Sequence, residues 1–118
     1  MEGYGTYLWG TKSKRKFLYI LRLNSKKSGD KYIGQWKNGE IHGQGTYIWG
    51  PNSKKSGDKY IGQWINGKIT GFGKLTLSNG EIYIGEFFKN KKHGYGMSIS
   101  STKEKEFGKW KFGKKINI

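Results

Sequence analysis

The chain has 118 residues, which by length corresponds to a single domain. Hydrophobic residues make up 33%, aromatic residues make up 16%, and there are 20 glycines, a combination that excludes a disordered chain and disfavours a helical one. The net charge of +15 comes from 23 Lys and Arg against 8 Asp and Glu, and the absence of cysteine excludes a disulfide framework and a cysteine-based metal site.

The N-terminal segment matches only half of a pattern that becomes complete later in the chain. Residues 3–10, GYGTYLWG, resemble residues 43–50, GQGTYIWG, and predict one strand. We interpret this strand as a half-unit, the return arm of a β-hairpin whose first arm is absent. A terminal repeat without a capping face is a weak point. We therefore expect either a fragment of a longer protein or an open end that pairs with another molecule.

Residues 11–31 are predicted to be an irregular, basic insert. A basic run here precedes the most apolar stretch of the chain, an arrangement that suits contact with lipid headgroups or with a partner. The candidate contact residues are Lys14, Arg15, Lys16 and Phe17. The alternative is a degenerate repeat unit, in which residues 19–23 overlay residues 60–64 and the glycine and the return arm have been lost.

Residues 32–50 read as one complete β-hairpin. In the first arm, Tyr32, Gly34 and Trp36 share one face, because strand side chains alternate with a period of two. The dipeptide at residues 38–39, Asn-Gly, is the strongest short signal for a hairpin turn. The return arm follows over residues 43–49 and is again aromatic and β-branched.

The hairpin recurs at a nearly fixed spacing. Tyr60 begins a second copy 28 residues after Tyr32, and Tyr83 begins a third copy 23 residues later. Glu106 stands where the tyrosine of a fourth copy would be. The predicted units are residues 32–50, 60–80 and 83–100, followed by a half-unit at 106–113 whose companion arm is missing. Such a period predicts a repeat array within one domain.

The repeated pattern, Tyr-x-Gly-x-Trp or Phe followed by a turn and Gly-x-Gly, resembles the MORN repeat. Residues 83–100 depart from it at the turn, where Asn90-Lys91 displaces the glycine. The resemblance implies an all-β fold, an elongated single-layer array of antiparallel β-hairpins with roughly eight or nine strands. It also implies roles in scaffolding, in self-association and in attaching proteins to membranes or cytoskeleton, with phospholipid binding in some members.

The repeat positions predict the residues that form the core. A glycine lies between two large residues of each first arm, and its missing side chain leaves room for an aromatic ring from the adjacent arm to lie across the backbone. The rings are expected to stack along the array. The predicted structural core consists of Tyr32, Gly34, Trp36, Gly43, Gly45, Tyr60, Gly62, Trp64, Gly71, Gly73, Tyr83, Gly85, Phe87, Gly94, Gly96 and Trp110.

The lysines fall in loops and at a turn. Residues 24–36 are identical to residues 52–64, and the shared SKKSGD segment is predicted to be a loop between units. The candidate lipid- or partner-binding lysines are Lys26 and Lys27 in the first loop, Lys54 and Lys55 in the second, and Lys89, Lys91 and Lys92 at the third hairpin turn. The alternative is a solvated coat that guards open sheet edges.

The sequence offers no pattern typical of catalysis. His42 and His93 occupy equivalent repeat positions, so we expect them to recur for structural reasons. No Cys/His cluster, carboxylate pair or strand-to-helix phosphate loop is present, so we predict neither an enzyme nor a cofactor. Since only Arg15 and Arg22 are arginines, nucleic acid is disfavoured as a partner.

We therefore predict a non-catalytic scaffold or adaptor that mediates protein–protein association, with a protein partner or a second copy. The alternative is a peripheral membrane adaptor whose lysine-rich loops bind acidic phospholipid headgroups, at about 1 kcal/mol per basic residue near the surface. No apolar run approaches the roughly 20 residues of a membrane span. Since the N-terminus lacks a signal-peptide layout, the expected location is the cytoplasm, at a membrane surface in the alternative.

Overall fold

The computed structural model describes the backbone of residues 3–8 and 18–23, and both backbone and side chains of residues 29–116. These segments contain ten strands and no helix. In chain order the strands are β1 (Gly3–Leu8), β2 (Leu18–Leu23), β3 (Lys31–Lys37), β4 (Glu40–Ile48), β5 (Lys59–Ile65), β6 (Lys68–Thr76), β7 (Ile82–Phe88), β8 (Lys91–Ile99), β9 (Lys105–Lys111) and β10 (Lys114–Ile116).

All ten strands form one sheet in the order of the chain, and each is antiparallel to its neighbours. The predicted all-β array of antiparallel hairpins is thereby confirmed. The molecule measures 46 × 31 × 22 Å, and its longest dimension agrees with ten strands spaced about 4.8 Å apart. The companion arm that was predicted to be missing after residues 106–113 is present as the three-residue strand β10.

The hairpin turns adopt the conformation that the Asn-Gly signal predicts. Asn38 and Gly39 have φ of 50° and 80°, and the corresponding values at residues 66–67 are 48° and 82°. Two consecutive residues with positive φ give the turn a backbone twist that matches the right-handed twist of the flanking strands. In the third turn Lys89 and Asn90 take these positions, with φ of 47° and 73°, because asparagine tolerates the left-handed conformation better than most residues.

The two glycines of a return arm have different roles. Gly43 has a φ of 93° and lies where the β3–β4 register shifts between Gly34 and Trp36, so it supplies the conformation of a bulge. Gly45 lies directly opposite Gly34, and a Cβ built on Gly34 would be 2.5 Å from the Cα of Gly45. The bulge glycines of the next units are Gly71 and Gly94, and the paired glycines are Gly62–Gly73 and Gly85–Gly96.

The core lies on one face of the sheet and consists mainly of aromatic rings. Its buried residues are Tyr32, Ile41, Tyr60, Trp64, Ile69, Tyr83, Phe87 and Trp110. Trp36 is half-buried and packs against this cluster. The rings meet edge to face rather than in stacks: Tyr60 contacts Trp64 at 5.4 Å and Phe87 at 5.3 Å between centroids, both nearly perpendicular. This is a favoured geometry for aromatic pairs.

The ring that covers each first-arm glycine comes from the same strand, which corrects one detail of the prediction. Tyr32 lies over Gly34 of its own strand and reaches across to Gly45 of the neighbouring one. Its hydroxyl donates to the carbonyl oxygen of Gln35 at 2.9 Å. Tyr60 and Tyr83 make the equivalent bonds to Gln63 and Glu86, both at 3.0 Å.

The N-terminal strands run against the directions that the repeat pattern suggests. β2 is antiparallel to β3, so it has the direction of a return arm, and residues 19–23 do not overlay the first arm 60–64. β1 is antiparallel to β2 and therefore runs like a first arm, although its sequence matches a return arm. The insert 11–31 is also not wholly irregular, because Leu18–Leu23 pairs along its length with β1.

Candidate interaction surfaces

The two histidines join neighbouring hairpins. Nδ1 of His42 accepts the backbone N–H of Asn66 at 3.1 Å, and Nδ1 of His93 accepts that of Phe112 at 3.1 Å. Thr70 stands at the same position of the middle unit, and its Oγ1 accepts the N–H of Lys89 at 3.1 Å. At this repeat position a side chain therefore accepts a backbone N–H from the turn of the next hairpin. This agrees with the structural role expected for the histidines.

A second set of hydrogen bonds uses acidic side chains for which the sequence alone predicted no contact. Oδ1 of Asp30 accepts the backbone N–H of Gly50 at 2.7 Å, and Oδ1 of Asp58 accepts that of Ser78 at 2.9 Å. Both carboxylates are buried, and the other oxygen of Asp30 accepts a hydrogen bond from the hydroxyl of Tyr47. Each acid lies two residues before the first-arm tyrosine. Glu81 and Glu104 hold that position in the later units, so the regular spacing could have identified the set.

No described part of the chain covers the sheet face that lies opposite the aromatic core. Phe72, Tyr95 and Phe107 project from it with 58%, 63% and 77% of their surface exposed. They lie on β6, β8 and β9, at strand positions that alternate with the core. Ile84 and Met97 lie between them, and the five residues contribute to the lining of one shallow cavity of about 550 Å³. Exposed apolar area of this continuity is typical of an interaction surface; we call these five residues the open face.

Basic side chains flank the open face. Lys109 places Nζ 5.3 Å from the ring centre of Tyr95, and it lines the same cavity. Lys74 lies directly between Ile61 and Ile84 in the cross-strand row. Glu86, opposite Phe72, is the acidic residue at this cavity. The open face therefore combines an apolar centre with positive charge.

The hairpin turns form a second exposed surface, which we call the tip edge. Its apolar members are Ile65, Phe88 and Phe112, all exposed, and its lysines are Lys37, Lys68, Lys89, Lys91, Lys111 and Lys114. His93 lies between two of the rings, with centroid distances of 5.8 Å to Phe88 and 4.6 Å to Phe112. The only described acid beside these turns is Glu40, so the edge is strongly positive.

The predicted lysine sites are distributed over several places. Lys89 and Lys91 are exposed at the tip edge. Lys92 is half-buried on the core face, with Nζ 4.9 Å from the ring centre of Tyr83, and burial lowers the pKa of its ammonium group. Lys54 and Lys55 are exposed in the loop after β4, where Lys55 lies over the Trp49 ring at 5.4 Å. Lys14, Arg15, Lys16, Phe17, Lys26 and Lys27 lie outside the described residues.

A second cavity, of about 480 Å³, opens on the core side near the end of the array. Its lining includes Lys92, Tyr83, Glu81 and Glu104. Over residues 29–116 no three acidic or histidine side chains come together in a way that could hold a metal ion. The described segments likewise contain no helix long and apolar enough to cross a bilayer.

Comparison with known families agrees with the repeat pattern. The MORN repeat family model matches residues 1–14, 32–54, 60–82 and 83–102, which together make up more than half of the chain. MORN repeats occur in adaptors associated with proteins or membranes, and they are generally not catalytic. No curated protein matches the chain.

Proposed function

The chain belongs to the MORN-repeat family, and we propose that it is a non-catalytic adaptor that binds a protein partner with the open face of its sheet. The observation that carries this proposal is the exposure of Phe72, Tyr95 and Phe107 on one continuous surface. Aromatic residues are enriched at the centres of protein interfaces, because each buries a large area at a low entropic cost.

The charges beside the open face indicate the chemistry of the partner. Lys74 and Lys109 lie in and beside the apolar centre. A partner surface with an apolar middle and acidic residues around it complements this arrangement. We therefore propose a folded or extended protein segment rich in Asp and Glu as the occupant of the open face.

Cross-linking in the host cell, followed by quantitative identification of the bound proteins, tests this proposal. A triple variant of the open face, Phe72→Ser with Tyr95→Ser and Phe107→Ser, is compared with the intact chain. The matched control removes three exposed apolar residues of the tip edge, Ile65→Ser with Phe88→Ser and Phe112→Ser. We expect at least one protein to be retained by the intact chain and the control, and to fall at least tenfold with the open-face variant. Identical sets of bound proteins for both variants would contradict the proposal.

The tip edge supports a second candidate function, binding to an acidic phospholipid surface. Aromatic and aliphatic residues beside lysines are typical of segments that lie in the membrane interface. Phe88 and Phe112 are exposed at two of the turns, and six exposed lysines are distributed over the four turns of this edge. The edge as a whole can face a planar membrane, because successive turns follow one another along one side of the sheet.

Vesicle sedimentation at ~0.15 M salt tests the second candidate, because net charge alone is largely screened there. The vesicles contain phosphatidylcholine with or without phosphatidylserine. We expect binding only with phosphatidylserine, lost in the tip-edge variant and kept in the open-face variant. Binding that appears only at low salt, or that both variants keep, would mean that the tip edge is not a lipid site.

A further inference from the structure

The cavity on the core side of the sheet lies over Tyr83, and we call it the Tyr83 cavity. Leu75 and Ser98 are the cross-strand neighbours of this tyrosine, and both line the space together with Lys92. Its volume of about 480 Å³ lies within the range of ligand pockets, roughly 300–1,000 Å³. It is a different surface from the open face, so the function proposed above does not involve it.

The cavity exists because the return arms lose side-chain volume from one hairpin to the next. Tyr47, Leu75 and Ser98 occupy the same repeat position, each opposite the first-arm tyrosine of its own hairpin. Two residues further on, the corresponding residues are Trp49, Leu77 and Ser100. Two aromatic rings are thus replaced first by two leucines and then by two serines.

The first hairpin shows which group fits this repeat position. The Tyr47 ring contacts the rings of Trp64 and Trp49, with centroid distances of 5.6 Å and 4.9 Å. Its hydroxyl donates to the carboxylate of Asp30, two residues before Tyr32. The position therefore holds an aromatic ring with a hydrogen-bond donor at its far end.

The third hairpin keeps the acceptor but not the ring. Glu81 lies two residues before the first-arm tyrosine, as Asp30 does in the first hairpin, and its side chain lines the cavity. Ser98 stands in place of the ring. Leu75 and Leu77 provide an apolar wall on the side of β6. The space therefore combines an apolar wall with an acceptor that has no ring hydroxyl from its own return arm.

Lys92 adds a positive charge to the cavity. Ile41 and Ile69 hold its repeat position in the first two hairpins. Its Nζ lies 4.9 Å from the ring centre of Tyr83 and 6.0 Å from that of Trp110. A ring bound in the cavity therefore lies beside an ammonium group, which attracts the face of an electron-rich ring such as a phenol.

We propose that the Tyr83 cavity binds a p-hydroxyphenyl ring of a ligand, with the ring against Leu75 and beside Lys92 and the hydroxyl donating to Glu81. The bound ring takes the role that the chain's own Tyr47 has in the first hairpin. A free phenol and a tyrosine side chain of a bound peptide both carry this group.

Nuclear magnetic resonance of the isotope-labelled chain, titrated with p-cresol, tests the proposal. We expect the amide signals that move to be those around the Tyr83 cavity, with a millimolar dissociation constant, as is usual for so small a ligand. Toluene has the same ring but no donor. It should bind about tenfold more weakly, because the hydrogen bond to a carboxylate is lost.

Two variants separate the cavity from the acceptor. Ser98→Tyr with Ser100→Trp copies the first hairpin into the third, so the chain fills its own cavity and should no longer bind p-cresol. Glu81→Ala leaves the cavity open but should bind p-cresol no more tightly than toluene. Glu81 is exposed, so this variant is expected to fold, and melting curves check both. Phe72→Ser, on the open face, should bind p-cresol like the intact chain.

The acetylated amide of tyrosine carries the same ring between two peptide bonds and distinguishes the two sources. Binding at least as tight as that of p-cresol assigns the ring to a protein side chain, and weaker binding assigns it to a small phenol. The proposal is overturned if neither compound moves the signals around the cavity, or if the signals that move belong to the open face. It is also overturned if either cavity variant binds p-cresol as tightly as the intact chain.

Discussion

The ring of Tyr60 lies directly on Gly73 of the neighbouring strand, so position 73 has no space for a side chain. The tyrosine is fully buried, and its hydroxyl is held by the carbonyl oxygen of Gln63. The same contact recurs in each of the three complete hairpins.

We expect Gly73→Ala to destabilise the array by about 1–3 kcal/mol, because overpacking forces the ring and the backbone apart. Chemical denaturation measures the change. Gly108→Ala is the matched control, since Gly108 also lacks positive φ, and its added methyl would be 2.5 Å from the flexible end of Lys115 and in ordinary contact with the Trp110 ring at 3.4 Å. Equal losses for the two variants would show that the tyrosine contact is not the cause.

Trp64 is the centre of the aromatic core. Its ring contacts Tyr32, Tyr47 and Tyr60, and its Nε1–H donates to the carbonyl oxygen of Gly45 at 3.3 Å. Trp64→Ala should therefore cost about 3–5 kcal/mol, enough to unfold a small array. Thermal melting measures this loss.

The control for Trp64→Ala is Phe72→Ala, which removes a large ring from the open face. Because Phe72 is mostly exposed, we expect its removal to change stability by no more than about 0.5 kcal/mol. A melting temperature that barely moves with Trp64→Ala would contradict the assignment of the core.

The folded array should lose stability in alkaline solution. Burial raises the pKa of Tyr60 and of Tyr83 from 10.0 to about 12, and it also raises the pKa of Tyr32 and Tyr47. A raised pKa favours folding while the group is neutral, so this contribution is complete below pH 10 and is lost as pH rises towards about 12. Melting temperature measured against pH checks the expectation.

Tyr60→Phe separates this ionisation from general alkaline damage. The variant keeps the ring over Gly73 but cannot ionise at that position, so its melting temperature should fall less steeply above pH 10 than that of the intact chain. At neutral pH it should lose about 0.5–1.5 kcal/mol, the usual net value of one hydrogen bond. Parallel pH curves would show that Tyr60 does not contribute to the alkaline loss.

The sequence predicts the array well because its local signals agree with one another. The period-two alternation of Tyr32, Gly34 and Trp36 places them on one face, and the Asn-Gly turn fixes the next arm. The direction of β1 was not predictable in this way. Neighbouring strands alternate in direction, so the direction of β1 depends on whether residues 18–23 form a further strand between β1 and β3. Residues 18–23 carry no glycine that would mark them as an arm of the repeat.

The candidate surfaces were less accessible to sequence reasoning. Phe72, Tyr95 and Phe107 alternate with the core positions, and alternation alone does not say which face another layer covers. Asp58 belongs to a segment predicted to be a loop, but it is buried and accepts the backbone N–H of Ser78 at the open end of the β5–β6 hairpin. This contact joins residues 20 positions apart, which the pairing of β5 with β6 brings together.

Thr70 links its own hairpin to the turn of the next one. Its Oγ1 accepts the backbone N–H of Lys89, and the carbonyl of the preceding residue, Ile69, accepts the N–H of Asn90 at 2.8 Å. Thr70→Val keeps the shape of the side chain but removes the acceptor. It should therefore destabilise the array by about 0.5–1.5 kcal/mol, while Thr70→Ser, which keeps the hydroxyl, should cost less. Amide exchange at Lys89 should quicken in the valine variant alone, and unchanged exchange there would rule out a role for the hydroxyl in holding the next turn.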